Sequence, residues 1–213
     1  MATYLLYGLT SDRAPPRVAE YTGYKLPLMV EVPTGYGGAG RPMKVDEVFK
    51  AAFAELGQCA TRKRCDEHFR ALGAGLGLSD ILNRWKLYFF AFAPRGQENQ
   101  WPTSDAGLTL AQVVGSYPAT SFAEIGVHVT ALRSAAFLAG TILHELAHLA
   151  GAPGASTEDH ALHDRRRLPK ADFQRLHQAE RAVHVCGLRD QYKQQVIGAL
   201  DRMSRQPGRG RLV

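Results

Sequence analysis

Long apolar runs, abundant cysteine and a basic leader are all missing from this 213-residue chain. The most hydrophobic stretch, Ala135 to Ala150, is broken by His144, Glu145 and His148, which argues against a membrane-spanning helix. The N-terminus, MATYLLYGLTSDR, has no basic region and only a short apolar stretch, so no secretory signal peptide is expected. Cysteine occurs only as Cys59, Cys65 and Cys186, and the five-residue gap in CATRKRC is wrong for the two-residue knuckle of structural zinc. A small Cys59–Cys65 loop in an oxidising compartment, or two unpaired thiols, are the readings that remain open.

Specific nucleic-acid binding is another class with little support. Lys and Arg total 26 against 20 Asp and Glu, a net charge of +6. The basic residues gather at Arg62-Lys63-Arg64, Arg165-Arg166-Arg167 and the tail Arg202, Arg205, Arg209 and Arg211, with no aromatic residues interleaved. That distribution predicts a solvated surface.

What is present is ordinary globular composition, 45% hydrophobic and 22% charged. The length suits one domain with its own core over 1–213, with a flexible basic tail from about residue 205. Tyr4 to Leu9, Leu26 to Val32 and the aromatic run Trp85 to Ala93 read as strands. TGYGGAG, from Thr34 to Gly40, and the polar segment Arg95 to Asp105 read as loops. Val45, Val48, Phe49, Ala52, Phe53 and Leu56 fall at helical spacing, which predicts a core-facing helix over Val45 to Leu56. A second helix is expected around Asp66 to Leu72. Ile125, Val127, Val129 and Ala131 alternate, which predicts a half-buried strand just before the next helix.

That helix carries the chemistry. In TILHELAHLAGAPG, His-Glu-x-x-His falls at His144, Glu145 and His148, within good helix formers that stop at Gly151 and Pro153. Residues four apart lie one above the other, so His144 and His148 aim at one ion. Glu145, about 100° around the helix from His144, reaches a water beside that ion. Two imidazoles with room for a carboxylate and a water suit catalytic zinc, with Glu145 as general base. Three ionisable groups on an otherwise apolar helix would cost several kcal/mol if left unpaired.

The third ligand is not in the motif, because the position six after His148 is Gly154. STEDHALHD offers Glu158, Asp159, His160, His163 and Asp164. An aspartate at the distance of Asp159 resembles the aspzincin arrangement, but the glycine-threonine signature that precedes it there is absent. His160 ranks lower. The stretch Phe173 to Cys186 is helical in pattern, and Phe173, Leu176, Glu180, Val183 and His184 fall on one stripe. A carboxylate on an apolar stripe needs a partner, so Glu180 is the preferred third ligand. His184, one turn on, is expected near the same ion as an orienting or oxyanion-stabilising residue, ahead of His177 and Tyr192.

HELAHLAGAPG followed by AERAVHVCGL resembles the zinc metallopeptidase effector domains carried at the C-terminal end of VgrG spike proteins in bacterial type VI secretion systems. The resemblance covers Leu143 to Gly154 and Ala179 to Leu188. It implies a zincin-like α+β domain with a small, mostly antiparallel sheet, an active-site helix and a second ligand-bearing helix. It also implies Zn2+ on His144, His148 and Glu180, with Glu145 as base. A toxin of this kind would act on peptide or protein substrates in a competing cell's periplasm, with an immunity protein and a secretion spike as partners, and a monomer is expected. A Cys59–Cys65 disulfide would fit that compartment. The alternatives are a peptidoglycan-directed zinc amidase or endopeptidase, a non-catalytic metal-stabilised adaptor, and an unrelated cytoplasmic peptidase.

Overall fold

Apolar alternation and helical periodicity place most of the elements. The computed structural model describes residues 3–16, 24–32, 40–91, 103–104, 107–108, 110–129, 131–153 and 178–188. In chain order these form β1 (Thr3–Leu6), β2 (Met29–Val32), β3 (Arg41–Lys44), α1 (Val45–Ala60), α2 (Lys63–Arg70) and α3 (Leu78–Arg84). There follow β4 (Lys86–Ala91), β5 (Thr103–Ser104), β6 (Gly107–Leu108), β7 (Ala111–Tyr117), β8 (Phe122–Val127), α4 (Ala135–Leu149) and α5 (Gln178–Val185). The fold is mixed α and β.

The main sheet has the order β1-β4-β8-β7. β1 with β4 and β4 with β8 are parallel, and only the edge strand β7 runs antiparallel, against β8. The expectation of a mostly antiparallel sheet is therefore corrected. Parallel neighbours need long crossovers, and α1, α2 and α3 lie in the one between β1 and β4. The antiparallel pairs β2–β3 and β5–β6 lie outside this sheet.

β8 also differs from the expected half-buried strand. It ends at Val127, and from Ala123 to Val127 every residue is buried. A central strand between β4 and β7 is covered on both faces, so its polar positions are enclosed with its apolar ones.

One face of the sheet carries the helices. Val45, Val48, Phe49, Ala52, Phe53, Leu56 and Cys59 form the buried side of α1, which continues beyond the expected Leu56 to Ala60. Its Phe49 ring meets Phe89 of β4 at 5.0 Å, and Phe53 stacks on Tyr4 of β1 at 4.1 Å. α4 packs against α1, β7 and α5. It is buried on nearly every side, as an almost wholly apolar helix must be.

Both ends of α4 are fixed locally. Ser134 Oγ accepts the Phe137 N–H at 3.3 Å, filling an otherwise unpaired donor of the first turn. At the other end Gly151 has φ +104°, and a Cβ there would meet Leu72 O at 2.8 Å and Ala74 N at 2.9 Å. Only glycine lets the end of α4 come this close to the turn after α2, where the Ala74 N–H bonds Ala150 O at 2.9 Å.

The cysteines are paired differently from either reading. Cys65 of α2 is bonded to Cys186, just past α5, across 121 residues of sequence. Cys59 is a buried free thiol that donates to Cys186 O at 3.4 Å. Cys59 and Cys65 sit on different helices, and Cys65 is turned toward α5. Among the described residues no helix is long and apolar enough to cross a membrane. The loop at 34–39, the polar stretch 95–102 and the tail at 205–213 lie outside the described residues.

Candidate metal centre

His144 and His148 occupy successive turns of α4, and their Nε2 atoms converge to 3.2 Å. The His148 ring is pinned from behind by Ala152 O, 3.1 Å from Nδ1. A carbonyl oxygen only accepts, so Nδ1 carries the hydrogen and Nε2 presents its lone pair to His144. The Gly151 turn that ends the helix supplies this carbonyl, which ties the stop signal to the orientation of a ligand.

At this distance the His144 Nε2–H can donate to the His148 Nε2 lone pair. Burial works against a charged His144, but the Glu180 and Glu145 carboxylates outweigh it and raise its proton affinity. Burial and the charge on His144 lower that of His148. Both Nε2 atoms face one position, and imidazole nitrogens are donors of the kind zinc takes.

Glu145 is 7% exposed, and its Oε2 accepts the Val113 N–H of β7 at 2.9 Å. This bond ties the motif helix to the edge strand and fixes one oxygen of the carboxylate. The strand beside the motif glutamate is thus β7, whereas β8, the strand before the helix, lies inside the sheet. Position on the edge follows from pairing order, which apolar alternation does not encode.

Glu180 comes to the same place by an unexpected route. The buried positions over 178–188 are Ala179, Ala182, Val183, Cys186 and Leu188, and the Glu180 side chain is 47% exposed. Of the predicted apolar stripe, Val183 is buried, Glu180 and His184 are exposed and so are corrected, and Phe173 and Leu176 lie outside the described residues. Yet α5 packs on α4, and Glu180 Oε1 lies 3.2 Å from His144 Nδ1, an ion-pair distance out of line for a hydrogen bond. Among the described residues no three His, Cys, Asp or Glu side chains gather as a ready ion cage. Glu158, Asp159, His160, His163, Asp164, His177 and Tyr192 lie outside the described residues.

The sequence reading missed two features. Ala152, whose carbonyl orients His148, carries no side-chain signal, since a backbone oxygen contributes. Glu124 is fully buried on β8 and accepts from the Tyr117 hydroxyl at 3.1 Å. A β-bulge at Val114 separates Val113, opposite Ile125, from Gly115, opposite Glu124. A Cβ on Gly115 would meet Glu124 Oε2 at 2.6 Å, so the bulge and the glycine together seat that carboxylate.

Comparison of the chain with protein-family models, curated proteins and solved structures finds no match.

Proposed function

We propose that this chain is a zinc-dependent metallopeptidase of zincin type. The observation that carries the reading is the His144–His148 pair, its Nε2 atoms 3.2 Å apart beside a glutamate held by the edge strand. His144 and His148 would hold the ion through Nε2. Glu180 is the proposed third ligand; its half-exposed side chain, with Oε1 3.2 Å from His144 Nδ1, would turn from that edge of the ring to reach the ion. When bound, zinc supplies the Lewis acidity that polarises an amide carbonyl and acidifies water.

The chain's own residues supply the rest. Ala152 O holds the His148 tautomer, and the Val113 N–H holds Glu145 Oε2. The other oxygen, Oε1, takes the proton from the attacking water and returns it to the departing amine. The edge strand β7 offers an extended substrate a rim for strand addition. The Cys65–Cys186 disulfide supports work in an oxidising compartment, as a type VI effector delivered to a target cell's periplasm would require.

Metal analysis together with cleavage of a general peptide library tests the proposal. About one zinc per chain with chelator-sensitive turnover is expected. Zinc without turnover on any peptide would instead favour a metal-stabilised binding domain.

A further inference from the structure

The described part of α5, Gln178–Val185, packs on α4, brings Glu180 to the His pair, and is also attached to α2. Cys65 of α2 is bonded to Cys186. The Arg62 guanidinium, just before α2, donates to Cys186 O. The apolar contacts of α5 are small: Ala179, Ala182 and Val183. Beyond its packing on α4, α5 is tied to α2 by a covalent bond that is redox-sensitive.

We propose that the Cys65–Cys186 disulfide is a redox latch: oxidised, it keeps Glu180 at the His144–His148 pair; reduced, it frees α5 and leaves the peptidase latent. The inference rests on the reading of Glu180 as a zinc ligand. Glu180 is the metal-binding group here, and Cys65 and Cys186 are positioning residues. The chain would then be harmless in the reducing compartment where it is made and active once it reaches an oxidising one.

The chemistry balances with a small-molecule disulfide as oxidant. One cysteine thiolate attacks oxidised glutathione and expels a glutathione thiolate. The second cysteine attacks the resulting mixed disulfide and expels the other, so the chain loses two electrons and glutathione gains them. Cys65 and Cys186 are fully buried in the oxidised form, so exchange takes place while α5 is lifted, and docking then protects the bond. Burial raises the pKa of the Cys59 thiol, which keeps it protonated and a poor competitor in the exchange.

The test compares the full oxidised chain, the chain reduced by a phosphine, and a Cys65→Ala/Cys186→Ala double variant. Zinc affinity is read by chelator competition, and mobility by amide exchange over residues 178–185. Reduction is expected to leave the circular dichroism of the core in place, speed exchange in α5 and weaken zinc binding about 10- to 100-fold. The double variant should match the reduced chain. Oxidised glutathione should restore the reduced wild type and leave the variant unchanged. Equal zinc affinity in the oxidised and reduced chains would overturn the latch while leaving the zinc reading standing. Collapse of the whole fold on reduction would also overturn it, because the bond would then be a general staple. An oxidised chain that binds no zinc would overturn the zinc reading and the latch together.

Discussion

Glu145 reaches from α4 to the edge strand, where its Oε2 accepts the Val113 N–H at 2.9 Å. The bond leaves the carboxylate one oriented oxygen for proton transfer, so its loss should affect turnover more than metal binding. Val113→Pro removes the donor at an edge position next to a bulge, where proline is tolerated. The expected result is a fall in kcat of about tenfold or more with zinc retained. Unchanged kcat in a folded variant would show that the bond does not position the base.

Gly151→Ala should be among the most damaging single-methyl changes. The new Cβ would meet backbone atoms of Leu72 and Ala74, at a φ of +104° that alanine rarely adopts. A loss of about 2 kcal/mol or more is expected, seen as a lower urea midpoint. Zinc affinity should fall with it, because the same turn presents Ala152 O to His148. An unchanged midpoint would mean that the turn relaxes freely.

Asp66 joins α2 to α3 through bonds from the Ser79 N–H at 2.9 Å and the Ser79 hydroxyl at 2.8 Å. Partial burial pushes its pKa up, but these bonds and the Arg70 guanidinium outweigh burial and hold the carboxyl below the usual carboxylate range. A depressed folded pKa adds stability above the unfolded value, and that stability is lost as pH falls through the folded one. Asp66→Asn should therefore cost about 1–3 kcal/mol near neutrality. The gap between variant and wild type should close as pH drops from about 5 toward 2. A gap independent of pH would contradict the assignment.

Glu180→Ala and Asp159→Ala separate the two candidate third ligands. With Glu180 as ligand, its removal should weaken zinc retention far more than removal of Asp159, measured as dissociation into a competing chelator. The reverse order would move the third ligand to the segment after the motif helix.

The motif helix was legible because its signals are local: periodic apolar residues, histidines one turn apart, and a Gly-Pro stop. α1 was legible for the same reason, through Val45, Val48, Phe49, Ala52, Phe53 and Leu56. Pairing order was not. Nothing in the alternation of Ile125, Val127 and Val129 tells an interior parallel strand from a half-buried one, so the burial of Glu124 and the edge role of β7 went unseen. β7 itself, AQVVGSY, is interrupted by a bulge and a glycine that blur its period. α3 is seven residues long, begun by Asp80 Oδ2 accepting the Gly77 N–H at 3.0 Å, too short for periodicity to register. Glu180 shares an apolar stripe with Val183 in the sequence, whereas in α5 Val183 is buried beside Ala179 and Ala182 and Glu180 stands at the exposed edge beside His144. The Cys65–Cys186 bond spans 121 residues, a separation that no local spacing rule reaches.

The most direct test of the central claim is peptide hydrolysis by zinc-loaded Glu145→Ala beside the wild type. The account predicts equal zinc content and a loss of turnover of at least about 100-fold in the variant. Full activity in Glu145→Ala with zinc in place would contradict it.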